Sequence, residues 1–362
     1  MDSTAQPSLD RIRGCLLGGA VGDALGSPVE FDTLAEIHQK FGSQGVRRFA
    51  PAFGRVGAIT DDTQMTLFTA EGLIRARSRW LERGTTMPLT MLHRAYLRWL
   101  VTQGETPTCS GFPGMDIDLF PGWLSGVRAL YAQRAPGSTC VNSLGQPCAG
   151  TRERPMNDSK GCGGVMRVAP IGLVVADPAA AFDLACGAAA ITHGHPTGYL
   201  AAGALACLVN RLAYGVALHQ AVGEVLDELK RHPRAEEVVN AVEAAVRAAG
   251  AGPPCAHVVE RLGGGWIAEE ALGIALYCAL TAGTFDEGVI LAVNHGGDSD
   301  STGAITGNIL GTMLGTQAIG AHWLRDLEMR DEIETMAQDL STWFHQPDFK
   351  PTPDDFVRYP PN

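Results

Sequence analysis

The stretch Leu89-Thr90-Met91-Leu92-His93-Arg94-Ala95-Tyr96-Leu97-Arg98-Trp99-Leu100 decides the fold class. Leu89, Leu92, Tyr96, Trp99 and Leu100 recur at i, i+3, i+7, i+10 and i+11, which places them on one face of an α-helix. Further along, Val222, Val225, Leu226 and Leu229 repeat the pattern, and so do Val238, Val239, Val242 and Val246. Asp177-Pro178 ahead of an Ala-rich run reads as an N-cap followed by proline at the first helical position. Long alternating runs of β-branched residues are absent, and the best strand candidate, 165–175, is broken by Pro170 and Gly172. These patterns predict an all-α protein.

Two further helical stretches carry glycine at every fourth position: Gly14, Gly18, Gly22 and Gly26, then Gly303, Gly307, Gly311 and Gly315. That spacing keeps the glycines on one face, where another backbone can come close. Glycine costs a helix interior about 1 kcal/mol per site relative to alanine, so tight packing at the protein centre is the simplest compensation. Length alone suggests two domains, yet no repeat and no linker marks a boundary. The expected division is a flexible N-terminus over 1–8, one domain over 9–345 and a C-terminal tail over 346–362. Within it, 104–154, rich in Gly, Pro, Thr and Ser, reads as a long excursion between helices.

The 362 residues include 28 Lys+Arg and 39 Asp+Glu, a formal charge of −11, with 45% hydrophobic and 19% charged residues. Such a chain can bury a large core, which excludes a disordered tail or a disulfide-stapled miniprotein. The negative balance and the absence of a Lys/Arg cluster argue against binding a nucleic-acid backbone. Nine cysteines without a Cys-x-x-Cys pair, several inside Ala/Leu-rich runs, read as reduced thiols of a cytoplasmic interior. The stretches 302–320 and 199–210 are apolar enough to be tested as membrane spans. The first contains Asn308 and Gln317, and the second ends at Arg211 after too few residues, so both read as buried helices and no membrane association is expected.

Two acidic motifs stand out. Thr60-Asp61-Asp62-Thr63 precedes the apolar-periodic run of Met65, Leu67, Phe68 and Leu73. Alone it reads as a helix start, with Thr60 capping and the carboxylates facing the helix dipole. Asn294-His295-Gly296-Gly297-Asp298-Ser299-Asp300-Ser301-Thr302 changes that reading. Asp298 and Asp300, two residues apart, would point the same way from an extended loop, with hydroxyls at Ser299, Ser301 and Thr302 nearby. Carboxylate, hydroxyl and water oxygens suit hard divalent cations. Four ionised carboxylates inside a helical protein would also need positive charge to offset their repulsion. The motif is not an EF-hand, since no Glu occupies the twelfth position and the glycines precede the acids.

Taken in order, five motifs resemble those of the ADP-ribosylglycohydrolases: Gly18-Gly19-Ala20-Val21-Gly22-Asp23-Ala24-Leu25-Gly26, Thr60-Asp61-Asp62-Thr63, Gly161-Cys162-Gly163-Gly164-Val165-Met166-Arg167, Thr192-His193-Gly194-His195-Pro196-Thr197-Gly198 and Gly296-Gly297-Asp298-Ser299-Asp300-Ser301. The likeness runs from about Leu9 to beyond Leu340. It implies a compact single-domain orthogonal helical bundle with a central cleft holding two Mg²⁺ or Mn²⁺ ions. The implied ligands are Thr60, Asp61, Asp62, Asp298, Asp300 and Ser301, with Asp300 bridging. The implied reaction is hydrolysis of the glycosidic bond between mono-ADP-ribose and a protein side chain, releasing ADP-ribose, with Asp62 carrying the proton. The Gly161 and Thr192 motifs look more like the arginine-directed branch, which leaves serine-linked or other O-linked ADP-ribose as the alternative. A catalytically silent ADP-ribose-binding or structural homologue is the alternative from another class.

The remaining candidates each carry two readings. Glu30 falls where some family members place an acid near the metals, as a gate or outer-sphere base; otherwise it is an exposed acid after Pro28. Ser159, Lys160, Gly161, Cys162 and Gly163 belong to a glycine-rich turn whose amides could cradle a diphosphate, or to an ordinary turn. Cys162 invites a nucleophile reading, but no paired base is identifiable and a packed thiol is the better account. His193 contacts ligand by resemblance, with a capping or core histidine as the rival. Trp266 either stacks on adenine or shapes the leaving-group pocket, or is buried packing. Glu269 and Glu270 read as dipole partners at a helix start.

Overall fold

A computed structural model describes residues 6–108 and 122–361. Its helices are α1 (Leu9–Gly26), α2 (Leu34–Phe41), α3 (Asp61–Arg83), α4 (Pro88–Thr102), α5 (Ser138–Leu144), α6 (Ala169–Val174), α7 (Pro178–Ala190), α8 (Pro196–Ala213) and α9 (Leu218–Leu229). They continue with α10 (Glu236–Gly250), α11 (Ala256–Leu262), α12 (Ala268–Thr281), α13 (Phe285–Val293), α14 (Ser299–Leu314), α15 (Ala321–Asp326), α16 (Arg330–His345) and α17 (Pro353–Arg358). Among the described residues, extended pairing is limited to a two-residue antiparallel hairpin, Pro51–Ala52 with Arg55–Val56, and one isolated bridge between Gly161 and Ile267. The all-α expectation holds, and the decisive stretch lies on α4.

Local chemistry sets the helix ends. Ser8 accepts from Arg11 N to start α1, Asp177 accepts from Ala180 N ahead of Pro178 to start α7, and Gly84, at φ 67°, terminates α3. The strand candidate 165–175 is a turn leading into α6 instead: Pro170 fits the first turn of that helix, where its missing N–H costs nothing. The excursion 104–154 contains short 3₁₀ turns at Leu124–Gly126 and Arg128–Leu130 and the helix α5.

The two glycine series meet each other. A methyl group on Gly14 would lie 2.1 Å from the Gly311 carbonyl oxygen, on Gly18 2.4 Å from that of Gly307, and on Gly22 1.9 Å from that of Gly303. Rising numbers on α1 pair with falling numbers on α14, so the helices run antiparallel with backbones in direct contact, closer than any side chain would permit. Asn308 fits the same seam by donating to the Cys15 carbonyl at 2.9 Å. The seam ends where a Gly26 methyl would lie 2.3 Å from the Ser299 carbonyl oxygen, which brings the end of α1 against Asp298–Asp300.

One apolar cluster extends from Ile12 to Tyr359 and includes the tail, where Tyr359 is fully buried. Arg75 and Ser78 on α3 donate to the Pro360 and Tyr359 carbonyls. Residues 1–5 of the expected flexible N-terminus lie outside the described residues, as does Cys109. The eight described cysteines are all free thiols. Among the described residues no helix is long and apolar enough to cross a membrane.

Candidate functional site

Three chain segments more than thirty residues apart converge on one pocket of about 370 Å³. The start of α3 brings Asp61 and Asp62, the turn after α1 brings Glu30 and Phe31, and the start of α14 brings Asp298, Asp300 and Ser301. Gly161, Cys162, Gly163, His193 and Trp266 complete the wall together with 135–140 and Met166. The size suits a small-molecule ligand.

Each carboxylate has a local reason for its place. Thr60 caps α3 by accepting from Asp62 N at 3.3 Å, so the bland helix-start reading and the site reading are both satisfied. Asp61 accepts from Gly137 N at 3.3 Å. Asp298 is the N-cap of α14, accepting from Ser301 N at 3.2 Å, and Asp300 already lies in that helix's first turn. The extended loop expected for Asp298 and Asp300 is therefore corrected: capping by Asp298 starts the helix at once, and both carboxylates still line the pocket.

Burial dominates the electrostatics. Desolvation first, and then neighbouring carboxylates, hold Asp61, Asp62 and Asp300 well above the usual carboxylate range. The same causes push Glu30 up to about 9. Glu30 is 7% exposed, which corrects the reading as an exposed loop acid. Desolvation raises Asp298 as well. A carboxyl group whose folded-state pKa is raised binds more protons in the native than in the unfolded state, so stability falls as pH rises. For Glu30 that window runs from 4.5 to about 9. Without divalent ions the chain is therefore expected to melt at a lower temperature at pH 8.5 than at pH 6, and millimolar Mg²⁺ should recover more stability at pH 8.5. Differential scanning fluorimetry in both buffers checks this.

No group of three or more His, Cys, Asp or Glu side chains among the described residues is drawn up into a ready ion cage. The donors nevertheless fit a divalent cation, because Glu30 Oε2 and Asp62 Oδ1 are buried without hydrogen-bond partners. Oxygens of carboxylates that repel one another are what a hard cation would satisfy.

The structure also sorts the other candidates. Cys162 donates its thiol to Asp298 Oδ2 at 2.7 Å, and burial beside that carboxylate pushes its pKa up, so it is a protonated donor and not a nucleophile. Lys160 lies outside the pocket lining, ion-paired with Glu237 at 2.7 Å and with Glu269. Ser159 and Thr60 are also outside the lining; Ser159 Oγ accepts from Gly161 N at 3.3 Å. The glycine turn is fastened by Cys162 N donating to the Trp266 carbonyl at 3.1 Å and Ala268 N donating to that of Lys160 at 2.8 Å. Trp266 is 44% exposed and stacks on Phe31 with ring centroids 5.6 Å apart, so it forms the rim and is not buried packing. Glu269 and Glu270 do more than face a dipole: Glu269 pairs with Lys160, and Glu270 accepts from the amides of Gly264 and Gly265 at 2.9 and 3.2 Å. His195 is the N-cap of α8.

Sequence reasoning missed Asp23. From α1 it accepts from Thr60 N and Thr60 Oγ1 at 3.0 and 2.9 Å and from Thr63 N at 3.1 Å, and the Thr63 hydroxyl donates to it as well. It thereby holds the Asp61-Asp62 turn against the glycine seam. A signal existed, because Asp23 is the only charged residue between Arg13 and Glu30.

An all-α scaffold that gathers buried carboxylates, a glycine turn and an aromatic rim around one pocket is that of the ADP-ribosylglycohydrolases. The chain belongs to this family, whose profile matches residues 4–348, and it is an ADP-ribosyl hydrolase by class. It is 28% identical to the ADP-ribosyl-[dinitrogen reductase] glycohydrolase of Rhodospirillum rubrum, over 91% of this chain and 94% of that one. Identity to the mouse ADP-ribosylhydrolase ARH3 is 26%, over 95% and 94%. A solved structure described as an ADP-ribosylglycohydrolase-related protein complex superposes with a TM-score of 0.65 at 26% identity, covering 92% of this chain and 97% of that one.

Proposed function

We propose that this chain hydrolyses the glycosidic bond joining mono-ADP-ribose to an arginine side chain of a protein, with two Mg²⁺ or Mn²⁺ ions. The observation that carries this reading is the convergence of five buried carboxylates from three segments on one pocket. Asp61, Asp62, Asp298, Asp300 and Ser301 would hold the ions, while Thr60, whose hydroxyl donates to Asp23 at 2.9 Å, fixes the start of α3 behind them. When bound, the ions would polarise the ribose hydroxyls or a water and stabilise developing charge. The chain's own residues do the rest. Gly161, Cys162 and Gly163 face the diphosphate, while Ser159 Oγ braces that turn from behind. Asp62, with one oxygen lacking any partner, takes or gives the proton of the attacking or leaving group. Glu30 closes the acidic wall, and the Phe31–Trp266 stack shields the opening. An acidic pocket with an aromatic rim suits a guanidinium leaving group, which favours arginine over serine linkage.

The test is release of ADP-ribose from arginine-modified protein and serine-modified peptide, with Mg²⁺, with Mn²⁺ and after chelation. Metal-dependent release from the arginine substrate, at least about tenfold faster than from the serine peptide, is expected. Preference for the serine peptide would overturn the linkage. Release unaffected by chelation would overturn the metal assignment, and tight binding without turnover would mark a silent homologue.

A further inference from the structure

His193 and Arg167 come from two different motifs, and the reaction outlined above assigns Arg167 no task. Arg167 is fully buried and forms no ion pair with a carboxylate among the described residues. Its guanidinium lies over the Tyr96 ring at 4.2 Å and donates to the Ala188 carbonyl at 3.2 Å, to Cys140 Sγ at 3.4 Å and to Thr192 Oγ1 at 2.7 Å. Thr192 Oγ1 stands 2.8 Å from His193 Nδ1. A guanidinium can only donate, so the Thr192 oxygen accepts from it and its own hydrogen must go elsewhere.

Two acceptors compete for that hydrogen. The Ala189 carbonyl is 3.4 Å away and already accepts from the Thr192 and His193 amides at 3.0 and 2.9 Å, which occupy its two lone pairs. His193 Nδ1 is closer and has no other donor. The hydroxyl therefore donates to Nδ1. In a neutral imidazole the hydrogen must then sit on Nε2. Burial first, and then the Arg167 charge, push the His193 pKa down to about 3, so the ring is neutral at physiological pH.

Nε2 is on the side of the glycine turn: methyl groups placed on Gly161 and Gly163 would lie 3.4 and 3.3 Å from it. His193 lines the pocket while being only 1% exposed, and Nε2 makes no hydrogen bond among the described residues. A donor that is nine-tenths buried and unpaired at a ligand-sized pocket calls for a partner from the ligand.

We infer that Arg167 and Thr192 form a relay that locks His193 in the Nε2–H tautomer, so that it presents a fixed neutral donor to an oxygen of the bound nucleotide sugar. The relay rests on the reading of the pocket as an ADP-ribose site only for the identity of that acceptor. The opposite tautomer would set a lone pair against the ligand oxygen. A protonated Nε2 also cannot ligate a metal, which keeps His193 from capturing a borderline cation such as Zn²⁺ beside the carboxylates. Arg167 and Thr192 are thus positioning residues acting through His193.

The experiment is ¹⁵N-edited NMR of the histidine rings in the full chain, with His193→Gln to assign the signal, joined to calorimetric titration with ADP-ribose. The expected spectrum has a protonated Nε2 and an unprotonated Nδ1 that do not change between pH 5.5 and 8. Thr192→Val should release the tautomer and weaken ADP-ribose binding about tenfold, the loss of one well-made hydrogen bond in a dry site, while Thr192→Ser restores both. An Nδ1–H ring, a ring that charges in that pH range, or a Thr192→Val chain with unchanged tautomer and affinity would overturn the relay. If the unsubstituted chain shows the Nε2–H ring and binds no ADP-ribose, the relay stands and the reading of the pocket fails.

Discussion

Replacing Asp300 with alanine is expected to lower the rate of ADP-ribose release by a factor of about 10² to 10⁴, the range seen when an electrostatic or proton-transfer group is removed from an active site. The fold should survive. Asp300 does not cap α14, which Asp298 does; it accepts from Ser301 N at 2.9 Å and otherwise, among the described residues, bonds only to the neighbouring carboxyl groups of Asp298 and Glu30. Asp62, Asp298 and Glu30 all repel it, and burial holds it well above its ordinary pKa. Deleting it therefore removes an unfavourable charge from the metal-free protein, and the melting temperature without divalent ions should stay level or rise. Activity lost with stability kept or gained is the signature of a carboxylate retained for chemistry and not for folding. A release rate within threefold of the unsubstituted chain would contradict the account.

Valine at Gly307 should cost stability first and activity with it. Its Cβ would be built 2.0 Å from the Gly18 carbonyl oxygen, and the obstacle is backbone, which cannot rotate away. α1 and α14 must then separate, and every glycine pair along the seam loses contact. Overpacking costs cores about 1–3 kcal/mol and occasionally more; with a whole interface displaced, about 3 kcal/mol or more is expected, which for a chain of this length is a drop of roughly 4 °C or more, or a chain that fails to accumulate. Activity should fall with it, because the seam ends at Gly26 against Ser299 and sets Asp300 against Asp62. Gly223→Ala supplies the control. That glycine is in α9 with open space around its Cβ position, so alanine there should stabilise by up to about 1 kcal/mol. Thermal melts of the two variants decide the matter.

The helices were legible because apolar spacing is a local property. Of the face read from α4, Leu92, Tyr96, Trp99 and Leu100 are buried as the periodicity implies, whereas Leu89, in the helix's first turn, stays exposed. The glycine series showed that a backbone would approach, but not which one, since a spacing of four describes the face and not its partner. Residues with two plausible jobs were harder. Asp298 and Asp300 share the period of a strand, yet capping by Asp298 outweighs it and puts Asp300 in a helix. Lys160 looked like a phosphate ligand from its neighbours in sequence, and only the fold shows that Glu237 and Glu269 already neutralise it. Asp23 and Arg167 were hidden for the same reason: each acts by holding residues that are distant in sequence, through hydrogen bonds that exist only once the helices have packed.

The convergence of Asp61-Asp62 with Asp298-Asp300 on a divalent metal pair underlies the whole account, and crystals grown or soaked with Mn²⁺ test it most directly through anomalous scattering. The account predicts two strong peaks in the pocket, both within ligand distance of these carboxylates and both within reach of Asp300. Manganese bound only elsewhere, or absent from the pocket at a concentration that supports ADP-ribose release, would contradict it.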